Sequence, residues 1–469
     1  MNNSSSERIV EALRQWIAQA PDRAQLPSTR ELVAQFEASP VTVQKALRLL
    51  NAQGLIESRP GVGTFVRAAG TTVPPDYGWQ SAALGPAAPR FGLTSALRPI
   101  PDGVIALHSG YPEPELLPQR LIRAALARSA RSESALTRPS AAGLPDLQAW
   151  FAAELGRVMA PGVARPSARD VVVLPGSQSG LGALFRSIVG TGRPLLIESP
   201  SYWGAILSAR QIGVQIVPIP SGPQGPDVRE LERAFARTGA RAFYAQPNYA
   251  NPTGAQWSKE LGDRILDVVR EYGAFLIEDD WAHDFGISNE PMPLAVRDNS
   301  GHVLYLRSLT KSVSPAVRVA AMIVRGPARE RLLNNLQAQS MYVSGVLQQT
   351  ALDVVTQPGW TTHLKGLRSE LQHRRDQLIA AVQEYVPQAR LTHVPRGGLN
   401  LWLQLPEHTD LMRLEQDCLI QQVAIAGGDE WFPAEPAGCY LRLNYSGTDP
   451  AGFIHGAQVI GQQLSAQGL

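Results

Sequence analysis

The sequence has little cysteine and no long apolar run, and each shortage excludes a class of protein. Only Cys418 and Cys439 occur in 469 residues, which is too few for a disulfide framework, and their spacing is not that of a zinc site. No run of about 18 consecutive apolar residues is present that could span a bilayer. Residues 1–20 carry charges among their apolar positions and lack the apolar segment of a secretory signal. We therefore expect reduced thiols, no membrane partner and a cytoplasmic location.

The charge of the whole chain is nearly balanced. Lysine and arginine total 43 and aspartate and glutamate 41, so the formal net charge is +2 at pH 7. This value is too small to indicate nucleic acid as a partner, so DNA binding can be inferred only from local pattern. The hydrophobic share of 44% is typical of a soluble globular protein. A chain of this length exceeds one ordinary core, so two or more domains are expected.

Composition divides the chain into three zones. Residues 1–67 mix short amphipathic segments with basic residues. Residues 68–103 are rich in alanine, glycine and proline and have neither helical nor strand periodicity, which indicates a linker. Over residues 104–469, apolar strand-like runs such as DVVVL, RAFYAQ, AFLIEDD and VLYLRS alternate with longer helical patterns. That alternation predicts βαβ units and a mostly parallel sheet, so this zone is α/β.

The first zone contains start and stop signals for two short helices. Ser28 and Glu31 have capping-box spacing, and Ser39 followed by Pro40 opens a second helix that Gly54 is suited to terminate. The stretch LIESRPGVGTFV then places a Pro-Gly-x-Gly turn between two β-prone runs, which predicts a hairpin. Together these elements predict an α+β winged helix-turn-helix, whose second helix can enter a major groove. A small helical protein-binding or dimerisation module is the alternative.

The segments LPSTREL, TVQKAL and GLIESRPGVGTFV follow one another across residues 26–66 and resemble the DNA-binding domain of GntR-family regulators. Pro40 stands where that family usually has arginine, and Gln44 occupies an often basic position. Each missing cation removes a phosphate contact, so we expect weak non-specific binding. The residues that the resemblance assigns to DNA contact are Arg30, Ser39, Thr42, Gln44, Lys45, Gly61, Gly63 and Thr64.

In the third zone, chemically distinctive residues follow successive predicted strands. Asn251 begins NPTG, Asp279 lies in IEDDWAHDF, and Lys311 and Arg318 lie in SLTKSVSPAVR. Taken singly, each has an ordinary explanation as a turn, a helix cap or a surface charge. Their order is harder to attribute to chance, because α/β sheets bind ligands at the carboxyl ends of their strands.

This set resembles fold-type-I pyridoxal 5′-phosphate (PLP) enzymes, specifically class I/II aminotransferases, over residues 104–469. The resemblance implies that Lys311 forms a Schiff base with PLP and that Asp279 keeps the pyridine nitrogen protonated. It further implies that Asn251 donates to the phenolic oxygen of the cofactor. Arg442, in the strand-like segment CYLRLNYS, would bind the carboxylate of an amino acid or another effector.

By the same resemblance, three segments hold the phosphate and the ring. Backbone N–H groups of LPGSQSGLGALF would lie at a helix N-terminus, and SLTKSVSPAVR would add a hydroxyl and a guanidinium. An aromatic ring in ESPSYWG would stack on the cofactor. The glycine stretch could equally be a plain βα turn, and the tyrosine a core residue. The residues expected to hold phosphate and ring are Gly176, Ser177, Gln178, Tyr202, Ser308 and Arg318.

Two positions depart from the aminotransferase pattern. Trp281, which we also expect to contact the cofactor, stands where related sequences usually have tyrosine, and indole offers one N–H donor and no ionisable hydroxyl. Arg138 stands where aminotransferases commonly carry a tyrosine that reaches the phosphate bound by the partner subunit. We therefore expect PLP binding to be retained and transamination to be inefficient.

The chain combines a GntR-type DNA-binding domain (the reader), a linker and an aminotransferase-like domain. This combination resembles the MocR subfamily of bacterial transcriptional regulators. The resemblance implies a homodimer, often head-to-tail, in which PLP or its aldimine with an amino compound shifts the conformation on operator DNA. Two alternatives remain. One is a catalytically active aminotransferase with an accessory DNA-binding module, and the other is a PLP-dependent scaffold with no DNA role.

Overall fold

The structure is a computed structural model, and the chain separates into two compact units, Met1–Arg90 and Phe91–Leu469. The residues it describes are 5–67, 77–84, 97–101 and 103–469.

The first unit begins with three helices and a hairpin. The helices are α1 (Ser5–Gln19), α2 (Thr29–Phe36) and α3 (Pro40–Ala52), and the antiparallel strands are β1 (Ile56–Arg59) and β2 (Gly63–Val66). Both predicted helices and the predicted hairpin are confirmed. Helix α1 was not predicted as a separate element.

The predicted caps are formed as expected. The Ser28 hydroxyl oxygen accepts from the Glu31 N–H while the Glu31 carboxylate accepts from the Ser28 N–H, which is a complete capping box. The Ser39 hydroxyl oxygen accepts from the Thr42 N–H at the start of α3. Gly54 follows the end of α3 at φ +72°, a conformation that a side chain would strain.

The helical spacing of apolar residues gives the first unit its own small core. Ile9, Leu32, Val43, Leu50 and Ile56 are fully buried there, one or two from each of α1, α2, α3 and β1. Because these residues occupy one face of each helix, the opposite face of α3 remains in solvent.

A short helix, α4 (Gly78–Leu84), lies within the segment predicted to be an irregular linker. These residues are therefore helical and not irregular, and the assignment of residues 68–103 as a linker stays a prediction. Trp79 and Leu84 are 66% and 80% exposed, so the helix does not bury these two apolar side chains. Most of residues 68–103 otherwise lie outside the described part of the chain.

The second unit contains most of the regular structure. Its strands are β3 (Ile105–Ala106), β4 (Val171–Leu174), β5 (Pro194–Ser199), β6 (Gln215–Gly222), β7 (Gly225–Pro226), β8 (Ala242–Ala245), β9 (Phe275–Asp280), β10 (Val303–Ser308), β11 (Ala320–Ile323), β12 (Arg390–Leu391), β13 (Asn400–Gln404), β14 (Val423–Ala424), β15 (Ala426–Gly427) and β16 (Tyr440–Asn444). Its helices are α5 (Gln119–Ser129), α6 (Pro145–Arg157), α7 (Ser177–Leu184), α8 (Trp203–Ile212), α9 (Val228–Thr238), α10 (Lys259–Glu271), α11 (Pro327–Ser340), α12 (Gly345–Thr356), α13 (Pro358–Tyr385), α14 (Leu411–Ile420) and α15 (Phe453–Ala466).

The main sheet has the strand order β4-β11-β10-β9-β8-β5-β6-β7 within the described residues. Strands β10, β9, β8, β5 and β6 pair in parallel, and β11 is antiparallel to both of its neighbours. The mostly parallel α/β sheet is therefore confirmed, and each quoted apolar run coincides with a strand. Strand β11 was not predicted.

Helices cover both faces of the main sheet, because successive strand residues point to opposite sides. In β4, Val171 and Val173 join the core beneath α6, α9, α10 and α12, whereas Val172 and Leu174 join the core beneath α7, α8 and α11. With both faces filled, the carboxyl ends of the strands are the places left for polar residues.

A smaller antiparallel sheet, in the order β12-β13-β16-β15, packs with α13, α14 and α15 around a separate core. Its strand β16 confirms the strand-like character of the segment that contains Arg442. No helix in the described ranges combines the length and the apolarity that crossing a membrane requires. Cys418 and Cys439 are both free thiols.

Candidate functional site

The carboxyl ends of β8, β9 and β10 open on a cavity of about 180 Å³. Nine of the ten residues predicted to contact the cofactor line it, together with the predicted carboxylate ligand. These lining residues are Ser177, Gln178, Tyr202, Asn251, Asp279, Trp281, Ser308, Lys311, Arg318 and Arg442.

Gly176, the tenth predicted residue, does not line the cavity but directly precedes Ser177, which does. Its φ is +89°, and a Cβ atom at this position would lie 2.9 Å from Nη2 of Arg318. The glycine therefore lets a guanidinium approach the N-terminus of α7, which begins at Ser177. Free backbone N–H groups and a guanidinium at one point form a site suited to an anion such as phosphate.

Asp279 is the one acid of its acidic triplet that lines the cavity. Its Oδ2 atom accepts from the Tyr244 hydroxyl at 2.8 Å and from Nε2 of Gln246 at 2.9 Å, whereas Oδ1 has no partner in the part of the chain that the structure describes. Burial raises the pKa of Asp279 to about 6, against the effect of these two hydrogen bonds. A buried carboxylate with one free oxygen fits a ligand that carries an N–H donor.

The other two acids of the triplet have structural partners. Glu278 accepts the backbone N–H groups of Leu294 and Ala295 at 2.7 and 2.9 Å, and burial raises the pKa of Glu278 to about 8. Asp280 accepts from the Tyr305 hydroxyl at 2.6 Å. Strand alternation explains this division, because neighbours of Asp279 point to the opposite face of the sheet.

Lys311 presents its amine inside the same cavity. Its Nζ lies 4.1 Å from the ring centre of Trp281 and 5.7 Å from that of Tyr111. Burial lowers the pKa of Lys311 to about 7, with the cation of Arg442 acting in the same direction and Asp279 in the opposite one. A substantial fraction of this amine is therefore neutral and nucleophilic at neutral pH.

Arg442 is 1% exposed and lies on β16, in the smaller sheet. Its Nη2 donates to the backbone carbonyls of His108 and Ser109, and its Cζ lies 4.8 Å from the ring centre of Trp431. Nε has no partner. Burial lowers the pKa of Arg442 to about 10, so it stays charged at neutral pH and can bind a carboxylate.

The two departures from the aminotransferase pattern have different surroundings. The indole N–H of Trp281 donates to the backbone carbonyl of Tyr249 at 3.1 Å, so the N–H is already used and the ring is what faces Lys311. Arg138 is exposed and does not line the cavity. The structure thus gives Trp281 a packing role and leaves Arg138 on the surface of this unit.

Several cavity residues were not predicted. Gln246 ends the predicted run RAFYAQ. Because α/β sheets bind ligands at the carboxyl ends of their strands, its position predicts a site residue as well as that of Asp279 does. Trp203 and Thr310 lie within two of the quoted motifs, beside Tyr202 and Lys311. Leu97, Gly110 and Tyr111 come from segments without a local pattern.

The residues predicted to contact DNA lie on the first unit. Arg30, Gln44, Lys45 and Gly61 are exposed, at α2, α3 and the turn of the hairpin. The Ser39 hydroxyl is exposed as well, although it is also used in capping α3. The remaining members of the predicted set are partly buried: Thr42, Gly63 and Thr64.

Comparison with known proteins agrees with this architecture. Residues 103–460 match the family described as "Aminotransferase class I and II", and residues 5–66 match "Bacterial regulatory proteins, gntR family". The chain belongs to the class I and II aminotransferase family and carries a gntR-type helix-turn-helix at its N-terminal side. This combination is that of MocR-type regulators, which confirms the resemblance.

Two relatives and one solved structure illustrate the similarity. The chain is 26% identical to the uncharacterized HTH-type transcriptional regulator YdcR of Escherichia coli, over 93% of this chain and 94% of the relative. It is 28% identical to the probable rhizopine catabolism regulatory protein MocR of Rhizobium meliloti, over 91% and 86%. An α-aminoadipate aminotransferase from Thermus thermophilus superposes with a TM-score of 0.72 at 28% identity, covering 78% of this chain and 93% of that one.

The cofactor of this family is PLP, and the residues present fit it. The cavity offers an amine of lowered pKa on Lys311 and a buried carboxylate oxygen without a partner on Asp279. It also offers an anion site between the N-terminus of α7 and Arg318. These three features match the aldehyde, the ring nitrogen and the phosphate of the cofactor.

Proposed function

We propose that this protein is a PLP-binding transcriptional regulator that acts as a homodimer on operator DNA. The observation that carries the proposal is that Lys311, Asp279 and Arg442 line one cavity, in a chain that also has a gntR-type DNA-binding domain. PLP, alone or after reaction with an amino compound, would bind one conformation of the dimer more tightly than the other. A ligand shifts such an equilibrium only by its difference in affinity for the two states.

The residues of the cavity have separate parts in this function. When bound, PLP supplies an aldehyde that bonds to amines and a ring that withdraws electrons. Lys311 provides the amine that holds the aldehyde, and Asp279 accepts a hydrogen bond from the protonated ring nitrogen. Ser177 and Arg318 hold the phosphate, and Arg442 forms an ion pair with the carboxylate of an effector.

A regulator is favoured over an efficient enzyme by the surroundings of Trp281. In this chain the indole N–H is bonded to Tyr249, so the side chain presents neither a donor nor an ionisable hydroxyl to the cavity. The chain would then bind PLP and an amino compound while turning them over slowly. We place this activity in the bacterial cytoplasm, with operator DNA and a small amino-compound effector as partners.

The second candidate is a catalytically active aminotransferase whose DNA-binding domain is an accessory module that only localises the enzyme. It is supported by the complete set of Lys311, Asp279 and Arg442 and by 29% identity to a 2-aminoadipate transaminase of Thermus thermophilus. Turnover of an amino donor and a keto acid at an enzyme-like rate, without any effect on DNA binding, would support this candidate.

The deciding experiment is a DNA-binding titration at fixed salt concentration. The full-length protein is titrated with DNA from upstream of its own gene and with scrambled DNA, each with and without PLP. Lys311→Ala serves as the matched control, because it removes the amine and leaves the reader unchanged. We expect specific binding that PLP shifts in the wild-type protein and not in Lys311→Ala. Equal affinity for specific and scrambled DNA would contradict the regulator.

A further inference from the structure

Gln246 touches two of the residues assigned to the cofactor. It lies one residue beyond β8, beside the end of β9, and is 2% exposed. Its Nε2 donates to Oδ2 of Asp279 at 2.9 Å, and its Oε1 accepts the backbone N–H of Asn251 at 2.8 Å. One side chain therefore joins the carboxylate at the end of β9 to the turn that carries Asn251.

The orientation of the Gln246 amide follows from its partners. The backbone N–H of Asn251 is only a donor, so the amide oxygen must face it. The amide nitrogen then faces the carboxylate of Asp279, which is an acceptor when ionised. Glutamine is the residue type that satisfies both contacts at this length: glutamate lacks the donor, and methionine lacks both groups.

The backbone of Gln246 is held as well. Its N–H donates to Oε2 of Glu198 at 3.1 Å, and the other carboxylate oxygen of Glu198 accepts from the Ser221 hydroxyl at 2.9 Å. Both residues that support Gln246 belong to neighbouring strands, β5 and β6. The side chain of Gln246 consequently extends from a fixed backbone towards two fixed partners.

We propose that Gln246 is a positioning residue that sets Asp279 and Asn251 in one spatial relation, so that the ring nitrogen and the phenolic oxygen of PLP are bound together. The inference rests on the proposed PLP-binding function. Gln246 acts through the two residues that it holds and not through a reaction of its own side chain.

Loss of Gln246 would have two separable effects. Asp279 would keep only the Tyr244 hydroxyl as a donor, and a desolvated carboxylate with fewer donors holds its own proton more tightly. It would then stabilise a protonated ring nitrogen less. The Asn251 N–H would lose its acceptor, and the amide that donates to the phenolic oxygen would be less well placed.

The test compares three variants of the full-length protein. Gln246→Met preserves length and removes both hydrogen bonds. Gln246→Ala also removes both hydrogen bonds and serves as a second, smaller replacement. Tyr244→Phe removes the other donor to the same oxygen of Asp279 without touching Asn251. The readouts are the dissociation constant for PLP and the pH midpoint of the visible spectrum of bound PLP, with thermal unfolding as the check on folding.

The groups that influence this pH midpoint lie on several elements. Asp279 faces Lys311, Tyr202 and Tyr244 and also feels the charge of Asp280 across the sheet. Lys311 also faces Arg442, and Glu198 lies behind Gln246. Because the groups other than Gln246 and Tyr244 are common to all variants, differences between variants report on these two residues alone.

We expect Gln246→Met to weaken PLP binding at least about tenfold and to raise the spectral midpoint by about one pH unit. Gln246→Ala should behave as Gln246→Met does, and Tyr244→Phe should weaken binding with a smaller change in the midpoint. If Gln246→Met binds PLP and titrates as the wild-type protein does, Gln246 has no positioning role. If Gln246→Met and Tyr244→Phe give equal midpoints, the connection to Asn251 is wrong. If Gln246→Met fails to fold, Gln246→Ala decides: wild-type affinity and midpoint in that variant overturn the proposal. A wild-type protein that shows no visible band with PLP removes the proposed function itself.

Discussion

The amine nitrogen of Lys311 lies 4.1 Å from the ring centre of Trp281, and the indole N–H points away to the backbone carbonyl of Tyr249. Burial of the amine, with the nearby guanidinium of Arg442 acting in the same direction, lowers the pKa of Lys311 to about 7. The amine is prepared for reaction before any ligand arrives.

The first prediction concerns the reactivity of this amine. In PLP-free protein, modification of Lys311 by an amine-directed reagent should rise with pH through a midpoint of about 7, because the neutral amine is the nucleophile. The chain has three other lysines, all exposed, which serve as internal controls for the reagent. They are Lys45, Lys259 and Lys365. Site-resolved mass spectrometry measures all four, and a shared midpoint would contradict the prediction.

A second prediction concerns Trp281. Trp281→Tyr should raise the single-turnover rate at which bound PLP is converted to its amine form at least about tenfold, because it supplies a hydroxyl where indole has none. Trp281→Phe is the matched control, with an aromatic ring and no donor. Stopped-flow absorbance with an amino acid measures the rate. Equal rates in the two variants would show that the hydroxyl is irrelevant to this step.

The third prediction concerns the reader surface. Lys45 and Gln44 are exposed neighbours on α3. Lys45→Gln should weaken binding to all DNA sequences and lower the salt slope of affinity by about one, whereas Gln44→Lys should strengthen binding and raise the slope by about one. Titrations at several salt concentrations measure both slopes. Unchanged slopes in both variants would indicate that α3 does not approach the phosphates.

Glu198 gives a fourth prediction, on stability. Burial raises the pKa of Glu198 from its ordinary value of 4.5 to about 7. Because its pKa is higher in the folded state, Glu198 contributes on the order of 3 kcal/mol to the free energy of unfolding below the unfolded-state pKa. This contribution is lost as pH rises through the folded-state pKa. Glu198→Gln can still accept from the Gln246 N–H, and its amide can donate to the Ser221 hydroxyl. Chemical denaturation at several pH values measures the free energy of unfolding of both proteins. The value for the wild-type protein minus that for Glu198→Gln should decline between about pH 4.5 and about pH 8. A difference independent of pH would contradict the prediction.

Part of this structure could be predicted because the determinants are local. Runs such as VLYLRS and AFLIEDD are apolar through most of their length because both faces of β9 and β10 are buried, and polar residues appear only towards the ends of those strands. The capping residues Ser28 and Ser39 likewise act within one helical turn. Asp279, Lys311 and Arg442 could be named because each belongs to a short motif in a known order.

Other features depend on contacts between distant segments. Strand β11 is only four residues long and lies antiparallel between β4 and β10, a placement that its own sequence does not indicate. Tyr111 and Leu97 line the cavity although they precede the first strand of the main sheet in sequence. The double role of Gln246 requires knowing that β8 and β9 are neighbours, which strand order alone decides.

The hydrogen bonds from Arg442 to the carbonyls of His108 and Ser109 have a thermodynamic consequence for sensing. Because the chain itself holds Nη2, the orientation of the guanidinium is fixed before a ligand arrives, and Nε is left as a donor without a partner among the described residues. A carboxylate that binds there contacts a side chain that is already ordered. The entropic cost of holding this arginine is therefore met when the protein folds and not when the signal is bound.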